Sequence, residues 1–247
     1  MIIYVDGSAL RPGDGTERSP FKTISEAAAK ALPGDEVLVA PGIYREAVDP
    51  HNAGTATKRI TYRSAQKGQA HITGSEPVKS WSHVEGNIWK ATIPNGVFSD
   101  YNPFTTLVSG DWFIASMIAH TGDVFLDEKS MYEVTDLEQI KNPLKSQTSW
   151  DPEFSLYTWY TEQDEEKDQT ILYANFQEKD PNRENVEISV RKNCFYPSRE
   201  GIGYITLSGF KISQAATQWA PPTAYQEGMV GPHWSKGWII EDCEIYE

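Results

Sequence analysis

Two stretches near the carboxyl end carry the same apolar spacing at a constant offset. Ile205, Leu207, Phe210 and Ile212 are spaced two, three, two, and Trp238, Ile240, Cys243 and Ile245 repeat that spacing position for position. Between the apolar pairs stand Ser208-Gly209 and Glu241-Asp242, both compatible with a bend. Alternation of period two, broken once by a bend, predicts two short strands per repeat. A repeat of fixed length predicts coils stacked on one another with their inward residues aligned, as in a parallel β-helix. The extra length of this repeat falls in one loop, 213–236, and such loops project from one face, where binding sites form.

The amino-terminal part of the chain follows a related beat. Ile2 to Val5 is β-prone, Val37 and Val39 alternate, and Pro41-Gly42 turns the chain into Ile43 to Val48. Ile60 and Tyr62 repeat the alternation 23 residues after Val37 and Val39, and short strands recurring at about this interval suggest stacked coils rather than hairpins. Ile72 follows in His71-Ile72-Thr73. One convincing helix precedes these strands. Thr23 and Glu26 form a capping box, Ala27, Ala28, Ala29 and Ala31 propagate the helix, and Pro33-Gly34 stops it.

From Val78 to Tyr196 the beat is lost. Phe154 to Thr161 and Thr170 to Phe176 alternate over longer runs around an acidic stretch, 162–169, which predicts an exposed hairpin. Further strands are expected at Asn87 to Ile93, Asp123 to Leu126 and Val186 to Arg191, with a short helix in Thr135 to Asn142. Antiparallel pairs of this kind fit a β-sandwich inserted into the stacked coils. The expected organisation is therefore all-β: coils with a helical cap over 1–77, an inserted sandwich over 78–196, and resumed coils over 197–247.

Charge and composition exclude several functions. With 22 basic against 35 acidic residues the 247-residue chain carries −13, which repels phosphate backbones and argues against a nucleic-acid partner. No apolar run reaches the ~20 residues of a membrane-spanning helix. The opening MIIYVDGS lacks the pattern of a secretory signal, so a cytoplasmic protein is expected, with Cys194 and Cys243 as free thiols. The histidines His51, His71, His83 and His120 are scattered without zinc-ligand spacing, and no metal or other cofactor is called for. Walker, dinucleotide and Gly-x-Ser-x-Gly motifs are absent.

Aromatics in turn-rich loops remain as candidates. Trp219 lies in Gln218-Trp219-Ala220-Pro221-Pro222 and Trp234 in Gly231-Pro232-His233-Trp234-Ser235-Lys236, while Trp112 follows Ser109-Gly110-Asp111. Flat π faces pack on the C–H surfaces of sugars, and indole N–H groups satisfy hydroxyls. His233 and Lys236 bracket Trp234 and could add polar contacts. Each of these residues could equally be framework, and Asp111 is the most site-like of the many acids.

Gly15-Thr16-x-x-x-Pro20-Phe21-Lys22-Thr23-Ile24, Pro33-Gly34-Asp35-x-Val37 and Gly42-x-Tyr44-Arg45-Glu46 resemble the entry coil of right-handed parallel β-helix carbohydrate enzymes. Asp100-Tyr101-Asn102-Pro103-Phe104, Gly110-Asp111-Trp112, Asn193-Cys194-Phe195-Tyr196-Pro197 and the long stretch Ala216 to Asp242 resemble the amino-terminal part of glycoside hydrolase family 120 β-xylosidases. The resemblance implies retaining release of xylose from short xylo-oligosaccharides, and it is compatible with a homo-oligomeric full-length form. It also implies that the nucleophile and acid/base lie on coils beyond Glu247, so no catalytic role is assigned to a residue here. Trp112, Trp219, His233, Trp234 and Lys236 are the residues expected at the substrate. The ending within a coil is expected of a fragment that is inactive alone. Two other readings stay open: a polysaccharide lyase-like protein, for which calcium would serve, and a non-catalytic carbohydrate-binding module.

Overall fold

The computed structural model describes residues 1–110, 118–218 and 227–247. Among the described residues the regular structure is mostly β-sheet, with two short α-helices, Ile24–Ala28 and Leu137–Lys141, and the chain divides into two compact units. Of the described residues, 1–74, 191–217 and 227–246 form the first unit; 75–110, 118–190, Gln218 and Glu247 form the second.

The first unit is built from two parallel sheets. One runs in the order Ile2–Val5, Glu36–Val39, Ile60–Ser64, Ile205–Ser208, Ile239–Glu241; the other in the order Gly42–Arg45, Ala70–Thr73, Lys211–Ser213, Glu244–Tyr246. From Glu36 onward, each strand of the first sheet in this unit is followed in the chain by a strand of the second. Parallel neighbours cannot be joined by a tight hairpin, so each needs a crossover, and here the other sheet supplies part of it. The register places Ile3, Val37, Tyr62, Leu207 and Ile240 in one column and Tyr44, Ile72, Ile212 and Ile245 in another. Val37, Tyr62, Leu207, Ile72 and Ile212 are fully buried, which gives one continuous apolar interior.

Leu207 pairs with Ile240 and Ile212 with Ile245, the constant offset read from the sequence. The bend recurs with it: Gly209 has φ 76° and Asp242, its counterpart in the next repeat, has φ 57°, both left-handed. Between Glu36–Val39 and Ile60–Ser64 the paired offset is 25 residues, two more than the interval between the alternating apolar pairs. Val37 pairs with Tyr62 rather than Ile60, and Val39 with Ser64 rather than Tyr62, while Ile60 pairs with Ile205. A slip of two residues leaves every side chain on the same face, so alternation alone cannot detect it.

The helix carries its predicted capping box: Glu26 N–H donates to Thr23 Oγ1 (3.1 Å) and Thr23 N–H to Glu26 Oε2 (3.0 Å). Glu46 adds a second cap, accepting from the N–H groups of Ile24 and Ser25 at 2.8 Å each. The helix ends at Ala28 rather than running to Ala31, because the chain tightens into a turn in which Lys30 N–H reaches Ala27 O. Cys194 and Cys243 are free thiols, and burial pushes Cys194 up to about 12.

The second unit holds two sheets around one core. Lys129–Ser130, Val124–Leu126, Val186–Ser189 and Ser75–Pro77 pair antiparallel. Tyr132–Glu133, Thr158–Asp164, Gln169–Asn175, Ile88–Pro94 and Ser82–Glu85 form the other sheet, antiparallel except at Tyr132–Glu133. Trp159, Phe104, Phe176, Leu172 and Val186 are buried together between them. The hairpin is present, but its first strand begins at Thr158; Phe154–Leu156 is a 3-10 turn whose Ser155 hydroxyl donates to Pro152 O at 2.7 Å. The strand runs on to Asp164, and only 165–168 make the turn, with Asp168 at φ 52°.

Leu207→Ala should cost about 2–5 kcal/mol in urea unfolding, because it opens a cavity in the middle of a column. Lys67→Ala, which removes an exposed ion pair to Asp242, should hardly move the midpoint. In the second unit, removal from water pushes the Asp123 carboxyl from 3.8 up to about 7; the Glu247 carboxylate adds to this, and hydrogen bonds from Ser130 and Val124 N–H oppose it. The folded protein therefore holds a proton that the unfolded chain has already released over that interval. Stability should fall as pH rises from about 4 to 7 and level off above it. Asp123→Asn should flatten the decline, read from urea midpoints across the interval.

Candidate functional site

In the first unit the residues 227–238 form a loop anchored by backbone bonds to Asn193-Cys194-Phe195. Cys194 and Phe195 N–H groups donate to Met229 O at 2.9 and 3.1 Å, Gly231 N–H returns to Phe195 O at 3.2 Å, and Asn193 Nδ2 donates to Gly228 O at 2.7 Å. Buried Phe195 packs edge-on against Tyr62, so the anchor is continuous with the stacked interior. Trp238 closes the far end, its indole N–H donating to Ile202 O at 2.7 Å.

Three of the expected site residues stand on this loop. His233 is half-buried; its Nδ1–H donates to Pro197 O at 3.0 Å and its ring lies 5.6 Å from that of Tyr196. Trp234 is 69% exposed and held at φ 42°, a backbone conformation costly for a bulky residue. Lys236 is exposed, while its backbone carbonyl accepts from Tyr204 N–H at 2.9 Å. An indole face, an imidazole and an ammonium are thus brought onto one rigidly anchored loop. Such groups recognise hydroxyls and the apolar face of a sugar. Glu227 is tied to Lys192 Nζ at 2.5 Å. Trp112, with Asp111 beside it, and Trp219 lie outside the described residues.

The second unit brings together a pair that sequence reasoning missed. His120 Nδ1 lies 2.6 Å from Glu133 Oε1, and His120 backbone N–H donates to Glu133 Oε2 at 2.9 Å. Both side chains are less than a fifth exposed, at 17% and 18%. The β-bridge between Leu107 and His120 and the short strand Tyr132–Glu133 put them in place. They belong to separate elements, so no spacing rule reveals them. They border a cavity of about 400 Å³, whose wall also includes Tyr160 and Glu162. The Tyr160 phenol is raised above its ordinary value by removal from water and by its bond to the Glu162 carboxylate, so it stays a hydrogen-bond donor.

Among the described residues, no group of three His, Cys, Asp or Glu side chains is placed to hold a metal ion. No described helix is long and apolar enough to cross a membrane.

Comparison with known proteins links this geometry to a family. Residues 78–188 match the model of the glycoside hydrolase 120 insertion domain. The structure of XylC in complex with xylose matches 99% of this chain with a TM-score of 0.92 and 44% identity, and this chain spans 40% of that one. A structure described as a glycoside hydrolase matches 87% of this chain and 51% of its own, at a TM-score of 0.54 and 12% identity, and bears on the fold alone. The uncharacterized protein YwoF of Bacillus subtilis (strain 168) is 33% identical over 72 residues, 29% of this chain and 15% of its own length. Residues 78–188 thus match the insertion domain of glycoside hydrolase family 120, and the chain is similar to XylC over nearly all of its own length.

Proposed function

We propose that this chain is the amino-terminal part of a retaining β-xylosidase acting on short xylo-oligosaccharides in the cytoplasm. The observation that carries the reading is the 44% identity to XylC, whose structure holds xylose, across 99% of this chain. In this reading the two parallel sheets are rungs of a right-handed parallel β-helix over 1–77 and 197–247, and 78–196 is a sandwich inserted between rungs. The alternation of strands between the sheets and the repeated left-handed bend at Gly209 and Asp242 support it.

Retaining hydrolysis requires one carboxylate to attack the anomeric carbon and a second to protonate the leaving oxygen, then to activate water. The proposal assigns both to coils past Glu247, consistent with the 40% of XylC that this chain spans. The described loop then contributes binding. Trp234 offers a face to a xylose ring, Lys236 donors to its hydroxyls and His233 a ring nitrogen beside them. Trp112 and Trp219 complete the sugar contacts in the same proposal. Orientation by such contacts lowers the barrier only insofar as they strengthen towards the transition state.

Protein expressed from the complete reading frame should release xylose from xylobiose with the β-anomer formed first, followed by proton NMR. Trp112→Ala should lower kcat/KM at least about tenfold, equivalent to ~1.4 kcal/mol. The polypeptide ending at Glu247 should alone show no turnover of aryl xylosides. Clear turnover by that polypeptide would overturn the assignment of the carboxylates, and initial release of the α-anomer would overturn the retaining mechanism.

A further inference from the structure

We propose that the cavity beside His120 and Glu133 is a binding site for a short neutral saccharide of the xylo-oligosaccharide type. The choice of sugar rests on the xylosidase reading; the site itself does not. Its volume of about 400 Å³ falls within the roughly 300–1,000 Å³ of small-molecule sites. The wall is mainly apolar, and it includes Leu107 and Ile118, which remain 45% and 56% exposed. Tyr160 stands on the same wall, supported from behind by Tyr173 with ring centroids 6.5 Å apart. A half-buried phenol ring braced in this way is a preorganised face for a pyranose.

The polar groups fit hydroxyls better than charges. Glu133 takes both Nδ1–H and the backbone N–H of His120, which fixes the imidazole and leaves Nε2 with no partner among the described residues. Fixing one ring nitrogen in this way sets the role of the other. No described hydroxyl lies within hydrogen-bonding distance of Nε2, so the pair positions a ligand and does not activate a nucleophile. Glu162 and Gln163 on the rim supply further acceptors and donors. Two carboxyl side chains, Glu133 and Glu162, stand on the wall, so an anionic sugar is disfavoured.

The test is xylobiose titrated into ¹⁵N-labelled protein. Shift changes should cluster at His120, Glu133, Tyr160 and Gln163, with His120 Nε2 moving most among the ring nitrogens. Tyr160→Leu should weaken binding about tenfold or more, and Gln163→Ala, which removes an exposed side chain and its 3.2 Å bond from the Thr170 hydroxyl, should weaken it by a smaller factor. Glucuronic acid should bind more weakly than xylose. Shifts absent from these residues, affinity unchanged by both substitutions, or glucuronic acid binding as well as xylose would each overturn the proposal. The two readings fail separately. A full-length enzyme that hydrolyses xylosides while this cavity stays silent removes only the cavity's ligand; a cavity that fills in a protein without hydrolytic activity removes only the xylosidase.

Discussion

The parallel register of the first unit is the constraint on which the rest depends. Once Leu207 sits over Tyr62 and under Ile240, Ile212 is carried over Ile72 and under Ile245 by the short bend at Gly209. Backbone bonds between rungs and apolar contact within columns therefore reinforce each other, and neither can shift by one residue without exposing a whole face. Phe195 enters this interior against Tyr62, and through its backbone it holds the loop that presents His233, Trp234 and Lys236. Precise loop placement is inherited from a rigid stack, the usual division of labour between scaffold and site.

The second unit solves a different problem. Its antiparallel strands enclose large aromatics such as Trp159, Phe104 and Phe176, and one of its apolar walls opens into a cavity. The polar pair at that wall is satisfied internally: Glu133 accepts twice from His120.

Much of the fold could be read from the chain because the repeat joins residues of known spacing. The offset between the last two repeats, and the bend within each, emerge from apolar positions and from Gly209 and Asp242 alone. The Val37–Tyr62 pairing did not, since stacking Val37 on Ile60 or on Tyr62 leaves the same alternation; only backbone pairing separates them. Phe154 reads as strand by its neighbours, yet the local bonds of Ser155 draw it into a turn. The candidate loop was visible through its Gly, Pro and Trp residues. The His120–Glu133 pair was not, because its proximity is created by strand pairing and leaves no trace in spacing.

The central claim is that the chain up to Glu247 supplies scaffold and sugar contacts while the attacking carboxylate lies elsewhere in the protein. Trapping the full-length enzyme with a 2-deoxy-2-fluoro-xyloside, which accumulates the covalent glycosyl-enzyme of a retaining mechanism, and mapping the label by peptide mass spectrometry tests it most directly. The account predicts a single labelled carboxylate on a peptide beyond Glu247. A label on any Asp or Glu between Met1 and Glu247 would contradict it.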